Sequence, residues 1–552
     1  MKYLNNLLRS CRWIIGMLMW VACNSTPVPL TNSMTADVIV YGGTPGGVIA
    51  AVAAARNGAS VLLVEQTQHV GGLNTSGLIT AESEHMINNA ITGHAREFYV
   101  RMSELLPPGY FETFYDGKQL DFQEGDPAFF FESHLAEKVF NEMLAEANVS
   151  ILFNRYVDTV YRQQATIQQI GLDSGEVVSG QVFIDASYEG DLMAKAGVSY
   201  TYGRESRQQY GESYAGIRFM DDTLLARTQG ADGELLPYFS EKEGLIPGQG
   251  DQLVMNYNFR PTMTKSADNK VAVTRPANYD ATQFELLGDF LQNYPETPLR
   301  KLIGIYPRGN DKYEFNNQQR AVISLGLFGG NVDYPDASYA RRQEIYQAHK
   351  DYTLGFLYFL GHDPSVPEAL REEMLAYGFS KDEFTDNDHF PYYLYIREAR
   401  RMIGDFVMTQ QDILESRAKE DAVTLGSHWI DAHHVQRVSI SDSSFTNEGR
   451  IWHKVTEPYE IPYRVLLPKE EECNNLLVPV CGSLSHVAFC SYRLESTWMQ
   501  MGHVTGTAAA LALQQNTSVH DINIPQLQQE LRDEQKILKI DNLGEYDDYQ
   551  NQ

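Results

Sequence analysis

Short β-branched runs broken by glycine clusters open the folded part of the chain, and the hydrophobic period then changes from two to that of a helix. Val38 to Tyr41 is a fully apolar run that meets a glycine-dense turn, Gly42 to Gly47. An alanine-rich helix pattern follows from Val48 to Arg56, with Gly58 placed to end it. A second strand, Ser60 to Val64, closes on Glu65. Further on, Phe129 to Ala147 is patterned as an amphipathic helix, Val149 to Tyr161 alternates as a strand, and Gln168 to Val178 is hairpin-like. Val182 to Ala186 is a buried strand carrying Asp185. Strand and loop patterns such as Leu253 to Phe259 and Gly304 to Pro307 fill the start of a middle region, about Tyr200 to Val438. Helices are expected there over Asp336–Phe359 and Pro367–Tyr377, and Tyr392 to Gly404 is read as another. Near the C-terminus come a strand, Leu476 to Val480, and a helix, Thr497 to Leu513, in which Gly502 and Gly506 permit close packing. A helical piece, Pro525 to Ile540, and a polar, acidic end finish the chain.

Strand, glycine turn, helix, strand and terminal acid form a βαβ unit of the dinucleotide-binding kind. The helix N-terminus offers N–H groups and a positive dipole end to a pyrophosphate. Glu65, about 20 residues past the first glycine, is where a carboxylate holds a pair of ribose hydroxyls. The turn reads Gly42-Gly43-Thr44-Pro45-Gly46-Gly47, with Thr44 at the position usually held by a second glycine. Its β-carbon costs closeness to a pyrophosphate, while its hydroxyl could donate to a phosphate oxygen.

Composition narrows the surroundings. The chain has 552 residues, 72 acidic against 44 basic, and a net charge of −28. That size predicts two interleaved domains. The charge argues against nucleic acid and strongly anionic polymers as partners. Lys2, Arg9 and Arg12 precede a short apolar run, Trp13 to Ala22, that ends at Cys23 and has the layout of a secretory signal. Asn24 to Thr35 reads as a tether. Of five cysteines, Cys473, Cys481 and Cys490 lie beyond this segment and lack metal or redox spacing. They are expected to be structural, with at most one disulfide, and no metal site is expected.

Gly71-Gly72 and Gly77, following the acid, resemble the large group of FAD-dependent oxidoreductases with a glutathione-reductase-like Rossmann domain. The GGTPGG turn is similar to one bacterial branch, sometimes labelled xanthan lyases. Other stretches carry the resemblance over most of the chain. Ile184 to Met193 is similar to IDATYEGDLM with Ser187 for threonine, and Tyr392 to Gly404 reads YYLYIREARRMIG. Asp431, His433, Gln436 and Arg437 fall on a D-S-H-x-x-Q-R pattern, Cys481 to Ala488 on C-x-S-x-S-H-V-A, and Arg493 to Thr497 on R-x-E-P-T with Ser496 for proline. Gly309 to Gln318 is loosely similar to a polar loop of the family. The Val21-Ala22-Cys23 ending resembles a bacterial lipobox, which implies a lipid on Cys23 and location in the periplasm or at the outer membrane. Simple cleavage to a free exported protein is the alternative.

The resemblance implies an α/β protein, an FAD-binding Rossmann-type domain with an inserted mixed α+β substrate domain. The first would span residues 36–220 and 438–515, the second 221–437, with 1–23 a signal, 24–35 a tether and 516–552 a terminal helix and tail. FAD would be bound by Gly42, Gly43, Thr44, Pro45, Gly46 and Gly47, by Glu65, and by Gly71, Gly72 and Leu73. Tyr156 and Val157 would meet the adenine, and Asp185, Ala186, Arg493, Glu495 and Gly502 would complete the site. Glu189 and Asp191 either join it or cap the next helix. The activity implied is hydride transfer between a small hydroxylated substrate, such as a sugar, and the flavin, with an unidentified electron acceptor. His486 or His433 would be the base and Arg401 or Arg437 would orient the substrate. Arg397, Arg400 and Arg401 serve either an anionic or hydroxylated ligand or ion pairing within the domain. A lyase without net redox change and a sugar-binding surface lipoprotein are the rival readings.

Overall fold

The computed structural model describes residues 33–79, 85–106, 110, 127–220, 223–230 and 232–544. The signal, Cys23, most of the tether and residues 545–552 lie outside them. Five parallel strands form the central sheet in the order Leu476–Leu477, Val182–Asp185, Val38–Tyr41, Val61–Val64, Ser150–Leu152. Each of the inner three is wholly buried, as continuous apolar runs in a parallel sheet must be. The helix after the glycine turn runs Pro45–Arg56. It starts three residues before the hydrophobic pattern because proline suits the first helical turn and Thr44 caps it.

A second sheet lies beside the first. Strands Val157–Gln163, Thr166–Leu172 and Val177–Ser179 form an antiparallel meander, and Ser33–Thr35 adds to its edge in parallel with Val177–Ser179. The last three residues of the expected tether therefore belong to the fold. The long expected strand from Val149 splits into Ser150–Leu152 and Val157–Gln163, each in a different sheet.

The inserted region builds a five-stranded antiparallel sheet, with Ile303–Arg308 paired to Lys312–Asn317 at its edge. The polar stretch from Gly309 is thus a hairpin turn plus a strand, with Asn310 and Asp311 in the left-handed region at φ 59° and 54°. The helix Tyr339–His362 packs nearby. Strand Gln436–Ser441 pairs with Ser444–Glu448 and Phe239–Ser240, so the expected boundary at residue 438 falls inside a strand of the inserted region. The closing helix Glu495–Gln515 returns across the Pro45–Arg56 helix.

Residues 392–404 are not a helix. Tyr395 makes an isolated bridge to Asn258, and Arg401–Met402 is a short strand paired with Tyr200–Thr201. The arginines therefore share no helical face. Cys473, Cys481 and Cys490 are buried and free, which corrects the allowance for a disulfide. Among the described residues no helix is long and apolar enough to cross a membrane.

Candidate active site

The glycine turn is shaped by close backbone approach. Gly42 has φ 98°, and a Cβ there would come within 2.6 Å of the Ser187 nitrogen. A Cβ on Gly46 would stand 2.9 Å from the Trp498 carbonyl oxygen in the closing helix, and one on Gly502 would run into the Gly46 carbonyl. Gly502 is thus a crossing point between the two helices. The Thr44 hydroxyl donates to the Ala186 carbonyl at 2.8 Å and accepts from Gly47 N–H at 3.2 Å. It ties the turn to the neighbouring strand and caps the helix, in place of the phosphate contact considered from the sequence.

Glu65 is buried at the end of its strand. Gly43 N–H donates to Oε2 at 2.6 Å and Thr67 N–H to Oε1 at 2.7 Å, and the Tyr393 hydroxyl donates as well. Burial pushes its pKa up, and these donors oppose the shift. A small cleft opens beside it, lined by Thr67, Tyr156, Tyr188, Tyr339 and Tyr393. Val157 N–H donates to the Tyr41 hydroxyl at 3.3 Å. Gly71 and Gly72 adopt φ 92° and 49°, and Leu73 N–H donates to the Tyr188 hydroxyl at 2.9 Å. That hydroxyl donates on to Glu495 Oε1 at 2.7 Å, joining the glycine loop to the start of the closing helix.

Asp185 accepts from Ser187 Oγ at 2.7 Å and Met193 N–H at 2.7 Å, so it secures the turn after its own strand. Burial raises it to about 6. Glu189 and Asp191 cap no helix by side-chain hydrogen bond. Glu189 accepts from the Tyr334 hydroxyl at 2.9 Å, and Asp191 from Arg342 at 2.7 Å and Arg400 at 2.8 Å.

A separate cavity of about 500 Å³ lies between the Ile303–Asn317 hairpin and the chain around Asp431 to Trp452. His433 lines it. Its Nε2 stands 3.5 Å from Asp431 Oδ2 and 3.3 Å from Gln319 Nε2, while Nδ1 is buried with no hydrogen-bond partner. Burial, reinforced by Arg397, holds its pKa down to about 3 against the pull of Asp431. The imidazole is therefore neutral. Arg493 Nη2 donates to the Asp431 carbonyl at 2.8 Å and lies 3.2 Å from Oδ2, linking the cavity wall to the start of the closing helix.

Residues 37–531 match the family described as FAD dependent oxidoreductase. The chain belongs to that family. This flavoprotein matches none of the curated proteins compared with it. Among solved structures it is similar to a geranylgeranyl bacteriochlorophyll reductase-like protein from Thermoplasma acidophilum, with 10% identity, TM-score 0.35, and 93% of this chain and 86% of that one covered. An anhydrotetracycline hydroxylase from Streptomyces rimosus has 12% identity and TM-score 0.24, with 38% of this chain and 39% of its own covered. A thioredoxin reductase from T. acidophilum has 20% identity and TM-score 0.16, with 27% and 34% covered. The flavoprotein thus spans well under half the length of the last two.

The dinucleotide end fits FAD on its own terms. The glycine cradle admits no Cβ at Gly42, Gly46 or Gly47 without a clash. In the first turn of the closing helix, Thr497 Oγ1 and Trp498 Nε1 are buried with no hydrogen-bond partner among the described residues. Buried polar atoms left in that condition are costly unless a bound group satisfies them. Gly42–Gly47, Glu65 and this first turn are the residues that would hold the cofactor.

Of the four residues expected to act on substrate, only His433 reaches the cavity. His486 Nδ1 is paired with Glu398 at 2.8 Å, its N–H donates to Glu205 at 2.8 Å, and it is wholly buried. Cys490 and Glu398, acting against burial, hold its pKa above the usual range. Arg401 grips Glu205 at 2.7 Å and lies 3.4 Å from Glu398. Arg437 sits among Phe239, Phe328 and Phe445, with ring centroids 4.7–5.4 Å from its guanidinium carbon, and burial lowers it to about 10. Arg260, Arg308, Arg450 and Trp452 on the cavity wall escaped the sequence reading, because they come from three segments far apart in the chain.

Proposed function

We propose that this flavoprotein oxidises a small hydroxylated compound in the 500 Å³ cavity, with His433 as the base. The observation that carries the reading is the neutral His433 imidazole, which lines a polar cavity joined through Asp431 and Arg493 to the closing helix. When bound, FAD supplies a two-electron acceptor for the hydride leaving the carbon that bears the hydroxyl. His433 would take the hydroxyl proton, so that an alcohol leaves as a carbonyl. Asp431, 3.5 Å from Nε2 and 3.2 Å from Arg493, would steady the imidazolium formed. Gln319, 3.3 Å from the same ring, would hold its orientation.

The test is anaerobic mixing of the holoenzyme, expressed from Ser25, with a panel of sugars and hydroxy acids while the flavin absorbance is followed. Bleaching by a member of the panel supports oxidation. A flavin that stays oxidised while an unsaturated product accumulates would establish the lyase alternative. Export is proposed on Lys2, Arg9 and Arg12 with the apolar run Trp13 to Ala22, and Cys23 would bear the lipid. Metabolic labelling with a radioactive fatty acid, lost in Cys23→Ser, checks it.

A further inference from the structure

The cavity wall carries four arginines. Arg260, Arg308, Arg320 and Arg450 line it, against Glu314 and Asp431 among the described residues. Each carboxylate is held through one oxygen: Arg260 Nε donates to Glu314 Oε1 at 2.6 Å and Arg493 lies 3.2 Å from Asp431 Oδ2, while Glu314 Oε2 and Asp431 Oδ1 make no hydrogen bond. Arg308 differs from the rest. Its side chain has no solvent exposure, and its Nε and Nη2 make no hydrogen bond. Nη1 donates to the Pro307 carbonyl at 2.7 Å, and Nη2 has only a long ion pair to Glu314 Oε2 at 3.5 Å. The rings of Phe130 and Tyr306, 5.1 and 5.7 Å from the guanidinium carbon, flank it. A buried guanidinium with two nitrogens that make no hydrogen bond is unfavourable by itself and becomes favourable once an oxyanion enters. Its planar fork suits two oxygens of one group.

The rest of the wall suits a polyol. Asn316, Asn317, Gln318 and Gln319 form one side of it. Trp452, a residue 42% exposed, is braced by Trp429 at 4.8 Å and carries the Arg450 guanidinium over its ring at 5.0 Å. Amides address hydroxyls, and an indole face covers the apolar side of a sugar ring.

We propose that the substrate is a hydroxylated compound bearing an oxyanion group, a carboxylate or a sulfate ester, which Arg308 binds. This rests on the reading of the cavity as the site of oxidation. The net charge of −28 does not oppose it. Exposed charges are screened over about 10 Å, whereas the buried arginines act at contact, so a small anion is admitted where a polyanion is repelled.

The experiment compares D-galacturonate, D-galactose 6-sulfate and D-galactose on the holoenzyme, by calorimetric binding in air and by anaerobic flavin bleaching. Expected is binding of one or both anions about 10- to 100-fold tighter than galactose, since hydrogen bonds to charged groups carry that much. Which anion wins identifies the group. Arg308→Gln should remove the advantage, leave the weak binding of galactose unchanged, and retain FAD. Arg308→Lys should restore part of it. Equal binding of galactose and both anions, or an equal loss for all three in Arg308→Gln, overturns the proposal. If galactose bleaches the flavin as well as the anions do, oxidation stands and the oxyanion site falls. If an anion binds through Arg308 while the flavin stays oxidised, the oxyanion site stands and the oxidation reading falls.

Discussion

His486 Nδ1 stands 2.8 Å from Glu398 Oε2, and neither side chain reaches solvent. Glu398 also accepts from Met255 N–H at 2.9 Å, and Arg401 bridges from Glu398 to Glu205, the carboxylate under the His486 amide. The group ties the inserted region to the helix His486–Tyr492. Breaking one partner of such a buried pair leaves a charge unpaired.

His486→Gln is therefore expected to lower stability by about 3–5 kcal/mol. The His486 pKa is raised, so its contribution is complete below the ordinary 6.5 and fades as pH rises through the folded value. The Glu398 pKa is lowered, so that contribution is complete above 4.5 and fades as pH falls through the folded value. The melting difference between wild type and variant should peak between those two limits and shrink on either side. Thermal melts across a pH series measure it. An unchanged Tm with slowed flavin bleaching would return His486 to the chemistry.

His433→Ala has the opposite profile. It should slow flavin reduction by ~10²–10⁴-fold, as loss of a base does, while FAD absorbance and Tm stay near wild type. Its depressed pKa means that the unfolded chain takes up a proton first. Stability should therefore decline as pH falls from 6.5 towards about 3, and His433→Asn should flatten that decline. Stopped-flow bleaching and acid melts test the two halves. A variant that reduces its flavin at the wild-type rate removes His433 from catalysis.

The Rossmann half was legible because its signals are local. The glycine turn, the small-residue helix and Glu65 lie within one short stretch, and each is fixed by backbone needs that sequence spacing records. Tyr392 to Gly404 misled for a physical reason. Its Arg and Glu spacing imitates helix-surface pairs, but Arg397 donates to Asn256 and Asn258, Arg400 pairs with Asp191 and Asp336, and Arg401 with Glu205. Tertiary partners draw the three arginines in three directions and override helix propensity. The substrate cavity was the least legible part. Arg308, His433 and Trp452 meet only when two separate strands and a loop of the inserted region fold.

Gly502→Ala tests the contact that positions the cofactor end. A methyl there would collide with the Gly46 carbonyl in the glycine turn. Backbone cannot move aside as a side chain can, so the closing helix must shift. Overpacking of this kind costs about 1–3 kcal/mol. The variant should fold with a lower Tm and carry substoichiometric FAD. Gly58→Ala, where nothing lies within 4 Å of an added Cβ, is the control for backbone strain, since φ is 92°. Full FAD occupancy in Gly502→Ala would show that the helix crossing does not govern the site.

Glu65 separates cofactor binding from chemistry. Its two oxygens take N–H groups from Gly43 and Thr67 and the hydroxyls of Thr67 and Tyr393. All of these are donors, so the site asks for an acceptor with full negative charge. A ribose entering the cleft would bring two more hydroxyl donors to the same carboxylate. Glu65→Gln keeps the shape but turns one acceptor into a donor, facing either Gly43 N–H or the Thr67 pair. Hydrogen bonds to a charged group contribute about 1.5–3 kcal/mol, so FAD affinity should fall roughly 10- to 100-fold. The fraction that still holds FAD should bleach at the wild-type rate, because His433 and its cavity are untouched. Ultrafiltration against free FAD measures the first quantity and single-turnover bleaching the second. Unaltered FAD affinity in Glu65→Gln would mean that this carboxylate only braces the turn and Tyr393, and that the ribose is held elsewhere.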